Sequence, residues 1–161
     1  LVFFGHVDRL CAALNDAEAK NEWADAVGKL TEAVAIDPKI AAAVRTTLQR
    51  QYGAAGGAEL YRMLWGYTEA DFANGEAAKL VGLLDSELLA HRVLAFQVLK
   101  DMTGLVLSYR PDMPTNQRKA AIQRWKEKLD AGDLRMGGSE PKPARPAPSA
   151  EPPSPTLPAS P

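Results

Sequence analysis

Apolar residues recur at helical spacing along the chain. Val7, Leu10, Cys11 and Leu14 fall at i, i+3, i+4 and i+7, one stripe of a short helix beginning near residue 6. Asn15 or Asp16 is placed to cap the next helix. Trp23, Ala26, Val27, Leu30, Ala33 and Val34 carry the same spacing to about residue 36. Asp37-Pro38 marks a restart, with aspartate as N-cap and proline at the first helical position, where its missing N–H costs nothing. Ile40, Val44 and Leu48 line the third helix, which Gly53 is expected to end in the left-handed conformation. Gly56-Gly57 reads as punctuation before a fourth helix carrying Leu60, Met63, Leu64 and Tyr67 and ending near Gly66.

Thr68 and Asp71 have the spacing of a capping box around a single turn. Asn74 then stands as cap of a fifth helix with Ala77, Leu80, Val81 and Leu84 inward. A tight turn at Asp85-Ser86 leads into a sixth helix, from about Glu87 to Met102, with Gly104 after it. This helix is apolar on nearly every side, so other helices must wrap it. Leu105 to Pro114 is irregular, because Pro111 and Pro114 lack backbone donors and disfavour helix before them. Thr115 is the expected cap of a seventh helix with Ile122, Trp125 and Leu129 inward, stopped at Gly132. Period-two alternation is absent apart from Leu105–Leu107, which makes the fold all-α.

Alternate helices begin near residues 6, 39, 75 and 115, at intervals of roughly 33 to 40 residues. Helical hairpins stacked side by side give this pattern, with the last helix capping the stack. The expectation is therefore an α-solenoid-like stack of about seven helices over residues 1–135. The composition then changes. Nine of the twelve prolines lie between Pro141 and Pro161, so residues 136–161 read as a disordered proline-rich tail. Pro152-Pro153-Ser154-Pro155 matches PxxP in form, as a tract this rich in proline will by chance.

Leu84-Asp85-Ser86 with His91-Arg92, Ala95, Leu99 and Gly104 resembles the inner turn and second helix of a HEAT-type (armadillo-like) repeat. The interval from aspartate to arginine is one residue longer than in that family, and His91 stands where valine is usual. A wider layout adds Ala13-Leu14-Asn15-Asp16, Leu64-Trp65-Gly66-Tyr67, Tyr109-Arg110-Pro111 and Arg124-Trp125-Lys126. It is similar to the C-terminal helical region of large uncharacterised bacterial proteins. The resemblance implies a fold, and a piece of a longer protein, but no activity. Trp23, Ala26, Leu30 and Ala33, ending in Asp37-Pro38, also resemble the second helix of a tetratricopeptide repeat. The preceding helix does not match that family, since Leu14 stands where glycine belongs.

Charge narrows the range of partners. Nineteen Lys and Arg against twenty Asp and Glu leave a net charge of -1, with no basic field for nucleic acid or an anionic membrane. No apolar run is long enough to span a bilayer. A single cysteine, Cys11, excludes an intramolecular disulfide and any cysteine-based zinc cluster; on its apolar stripe it reads as a small hydrophobe. His6 and His91 do not make a metal set, and no cofactor is expected. Asp71, Glu76, Asp85, Glu87, Asp101 and Asp112 form no spaced acid–base pair and read as caps or solvated faces. The glycine-rich pieces 53–57 and 137–138 lack the Lys-Ser/Thr of a phosphate loop.

Aromatics are the remaining candidates. Trp65, Tyr67, Tyr109 and Trp125 lie near irregular segments, where they could form a recognition patch. The plainer expectation is that Trp125 anchors the last helix and Trp65 fills a junction between hairpins. Arg110 and Arg124 are candidates to pair with acids on the sixth helix. The functional expectation is a non-catalytic protein-interaction or scaffold module, not an enzyme. A protein or peptide would bind in a groove between hairpins. The alternative is a regulatory or spacer domain attached to an upstream catalytic or membrane-anchored region. The first residue is Leu1 rather than methionine, which fits a piece cut from a longer chain. No catalytic, cofactor-binding or metal-binding residue is assigned, and neither the compartment nor the oligomeric state is fixed.

Overall fold

A computed structural model describes residues 2–135 of the chain. The proline-rich segment 136–161, expected to be a disordered tail, lies outside the described residues. Those residues form eight α-helical segments and no strand: α1 (Val2–Ala13), α2 (Trp23–Ile36), α3 (Pro38–Tyr52), α4 (Ala54–Leu64), α5 (Glu69–Asp71), α6 (Ala77–Leu83), α7 (Leu89–Thr103) and α8 (Thr115–Asp130). None is long and apolar enough to cross a membrane. The all-α expectation holds, and several boundaries differ from it for identifiable reasons.

The first helix starts at Val2 and ends at Ala13. The Trp23 indole N–H closes that end, donating to the carbonyls of Ala13 (3.0 Å) and Asp16 (3.1 Å). Asp16 caps a short 3-10 turn, Ala17–Ala19, by accepting from the Glu18 amide. Asp37 caps α3 as expected, its carboxylate accepting from the Lys39 amide at 2.7 Å with Pro38 at the first position.

The reversal from α3 to α4 takes a single residue, Gly53. Its φ of 79° and ψ of 166° lie in a region open essentially to glycine alone, and not in the left-handed helical region expected for it. Gly56 and Gly57 are inside α4, where punctuation was expected. Gly57 has a packing reason: an added Cβ would come within 2.6 Å of the Leu48 carbonyl carbon and closer still to the Gln49 backbone. The glycine allows the two antiparallel helices to touch main chain to main chain.

The Thr68–Asp71 capping box forms. The Thr68 amide donates to the Asp71 carboxylate at 2.8 Å, and the Asp71 amide donates back to the Thr68 hydroxyl at 3.2 Å. Asn74, by contrast, caps nothing. It lies in a π-helical turn, Phe72–Glu76, where Gly75 at φ 103° kinks one path running from α5 into α6. Thr115 is likewise the first residue of α8 and not its cap; Pro114, fixed in an extended conformation, takes the cap position.

The capping box yields a pH prediction. The Thr68 amide, with help from its hydroxyl and from Arg62, holds the Asp71 carboxyl below its ordinary 3.8 against the desolvation that raises it. A depressed folded value stabilises above the ordinary value and is lost as pH falls through the depressed one. Asp71→Asn is therefore expected to cost about 1 kcal/mol at neutral pH and almost nothing at about pH 2. Urea melts of both chains at the two pH values measure this difference.

Helix α7 is the hub. Ala90, Val93, Leu94, Ala95 and Leu99 are buried, and Leu89, Phe96, Val98 and Met102 pack partly buried around them. It packs against α6, α4 and α2. Tyr109, fully buried, lies against Phe96 with ring centroids 5.2 Å apart. Each large aliphatic side chain enclosed this way contributes roughly 1.5–3 kcal/mol. Gly104, left-handed at φ 71°, ends the helix as expected. Around the hub, α1 packs on α2 and α3, α3 on α4, and α8 on α6 with Trp125 fully buried. The contact of α2 with α7 brings the first hairpin onto the third.

Candidate functional site

Two regions gather the polar residues that the sequence singles out. The first is the turn between α6 and α7. The α7 N-cap residue, Leu88, has no capping side chain. Ser86 accepts from the Leu88 amide at 3.2 Å, and Asn15, from the loop after α1, accepts from the Ala90 amide at 3.3 Å. A side chain 75 residues away in sequence thus satisfies an orphan donor of the central helix. The sequence points to Asn15 as a cap for the second helix; it caps the central one instead.

His91 is nearly enclosed, at 9% exposure. Its Nδ1 lies 3.1 Å from the Ser86 Oγ, and its Nε2 lies 3.3 Å from the Gly56 carbonyl and 3.5 Å from the Glu59 carboxylate. Serine, histidine and carboxylate in that order is the grouping of an activated nucleophile. Here the serine oxygen also takes the Leu88 amide, and the ring joins α4 to the start of α7. The set ties elements together.

Asp85, which the repeat resemblance would direct toward Arg92, pairs with Arg118 of α8 at 3.2 Å. Arg118 is buried and donates also to the Met113 carbonyl. Arg92 instead donates to the carbonyls of Ser86 (2.6 Å), Glu87 (3.0 Å) and Pro111 (2.9 Å). Tyr109 donates its hydroxyl to the Leu84 carbonyl at 2.6 Å, and burial pushes that phenol well above its usual value. Leu107 and Ser108 just before it stand at φ 47° and 57°, a left-handed pair without glycine. Each of these bonds fixes one end of α7, α8 or the 105–114 segment.

The remaining candidates are also accounted for. Tyr109 and Trp125 are fully buried, so they belong to no surface patch. Trp65 and Tyr67 are half-buried around Arg62, whose guanidinium carbon lies 4.2 Å from the Tyr67 ring centre and 5.5 Å from that of Trp65. Tyr61 meets Trp65 edge-on at 5.5 Å, filling the junction. Neither Arg110 nor Arg124 reaches an acid of α7: Arg110 lies 3.5 Å from Asp112, and Arg124 donates to the Leu107 carbonyl. His6 is exposed. Among the described residues no group of His, Cys, Asp and Glu could hold a metal ion.

Cys11 is wholly enclosed, and its burial, with Asp8 nearby, pushes the thiol up to about 12. The thiolate is the reactive form. We therefore expect no alkylation by iodoacetamide in the folded chain at mildly alkaline pH and full alkylation in denaturant, read by mass spectrometry. Rapid labelling of the native chain would contradict this packing.

The second region is a cleft of about 520 Å³ between α2 and α7. Val27, Gly28, Glu32 and Ile36 face it from α2, and Gln97 and Asp101 from α7. Ile36 is 69% exposed, unusual for so large an aliphatic side chain. Gly28 sits mid-helix, and a Cβ added there would meet nothing within 4 Å. Burial raises the Asp101 carboxyl above its ordinary value, against the Gln97 amide that donates to it at 2.8 Å. Gly28→Ala is expected to stabilise the chain by about 0.5–1 kcal/mol in denaturant melts, since only helix propensity changes. No sequence motif marks this cleft; its one signal is a glycine and an isoleucine on the polar side of an amphipathic helix.

Compared with known proteins, the chain matches no protein-family model, no curated protein and no solved structure.

Proposed function

We propose that this chain is a non-catalytic protein-interaction module whose docking face is the α2–α7 cleft. In this reading it is a curled stack of helical hairpins of the HEAT kind. The order of packing favours that architecture: α3 lies on α4, α6 on α7, and α4 on α7. The contact between α2 and α7 adds the curl. The single observation that carries the function is the cleft itself, with an exposed Ile36 at its edge and an uncovered Gly28 on its floor. The polar cluster at the α6–α7 turn supports the same reading, because its side chains hold elements together and leave the cleft as the open feature on the hub helix.

Capture from cell extract tests it. The wild-type chain is expected to retain a specific protein that Gly28→Trp, which fills the cleft floor from an exposed helical position, does not retain. Equal recovery by both chains, or none by either, would leave a plain spacer as the better description.

A further inference from the structure

Within the cleft, charge is distributed unevenly. Glu32 and Asp101 line it from opposite helices, and neither pairs with a lysine or arginine among the described residues. The acids nearby on other faces do have such partners: Asp25 pairs with Lys29 at 2.7 Å, and Glu76 with Lys79 at 2.6 Å. Between the two unpaired carboxylates the floor is small and apolar, with Ala24, Gly28 and Ala35 on α2 and Val27 beneath. An apolar floor with acids on both walls is complementary to a chain carrying cationic and aliphatic side chains side by side. An acidic or phosphorylated segment would instead bring like charges together.

We propose that the α2–α7 cleft takes a cationic amphipathic segment of a protein partner, with a lysine or arginine between Glu32 and Asp101 and an aliphatic side chain over Gly28 against Ile36. The proposal rests on the interaction reading above and adds the chemistry of the partner. The cation would replace the water that Asp101 keeps only in part, since that carboxyl is already partly desolvated by its own fold. Gly28 gives the incoming backbone a close approach that any side chain would deny.

Selection from a random peptide library displayed on phage, against the full chain, tests this. Enriched peptides are expected to carry Lys or Arg beside Leu, Ile or Phe. They are expected to bind the double variant Glu32→Lys, Asp101→Lys at least tenfold more weakly, with the variant melting as the wild type does. Raising salt should weaken the wild-type complex. Neutral or acidic peptides that Gly28→Trp blocks would overturn the cationic partner while sparing the interaction reading. The absence of any peptide sensitive to Gly28→Trp would overturn both. Self-association of the wild-type chain, lost in the double variant, would make a second copy the occupant and also overturn the proposal.

Discussion

Leu99→Asp is expected to abolish the cooperative unfolding transition of this chain. Leu99 is fully enclosed on α7, which packs against α6, α4 and α2. A carboxylate there has no cationic partner, and burying an unpaired charge costs more than a domain of this size can supply. Protonation would relieve the charge but still leave a polar group without its hydrogen bonds. The variant should show a broad, uncooperative melt and bind a hydrophobic dye. Lys100→Asp, one residue along on the exposed side, should melt within a few degrees of wild type. A sharp, wild-type-like transition for Leu99→Asp would mean that α7 is not the hub.

Gly57→Ala should destabilise by about 3 kcal/mol, although helix propensity alone predicts a gain of about 1 kcal/mol. The added methyl would come within 2.6 Å of the Leu48 carbonyl carbon, and closer still to the Gln49 Cα and amide nitrogen. These are backbone atoms, so no rotamer change can give way. The two helices would have to part, and Leu48 and Leu60 would lose contacts with them. Gly28→Ala makes the same chemical change in open space and should move stability in the opposite direction. Denaturant melts of the pair therefore separate packing from propensity. A stabilised Gly57→Ala chain would contradict the close approach of α3 and α4.

The sequence carries local information well and long-range information poorly, and particular residues show why. Asp37-Pro38, the Thr68–Asp71 box and Gly104 are punctuation set by their own backbone groups, and each is where its spacing places it. The apolar excess of α7 predicts that it is wrapped, and it is. Gly57 misleads because its reason is a neighbouring helix, which has no trace in local spacing. Asn15 misleads for the same cause: its partner amide is 75 residues away. Arg118 looks like an ordinary residue of an amphipathic helix, yet it is buried against Asp85. The α2–α7 cleft exists only because two distant helices meet, and its walls are ordinary residues in the sequence.

The docking face can be probed where it is most open. Cys11 is enclosed and held as a thiol, so a cysteine introduced at position 28 is the one a maleimide photo-crosslinker would label. Gly28→Cys, labelled and illuminated in cell extract, is expected to give a discrete adduct with a protein partner. The same label at Lys126→Cys, on the exposed side of α8, should not give that adduct. Identical adduct patterns from the two positions, or none from position 28, would contradict the assignment of the α2–α7 cleft as the docking face.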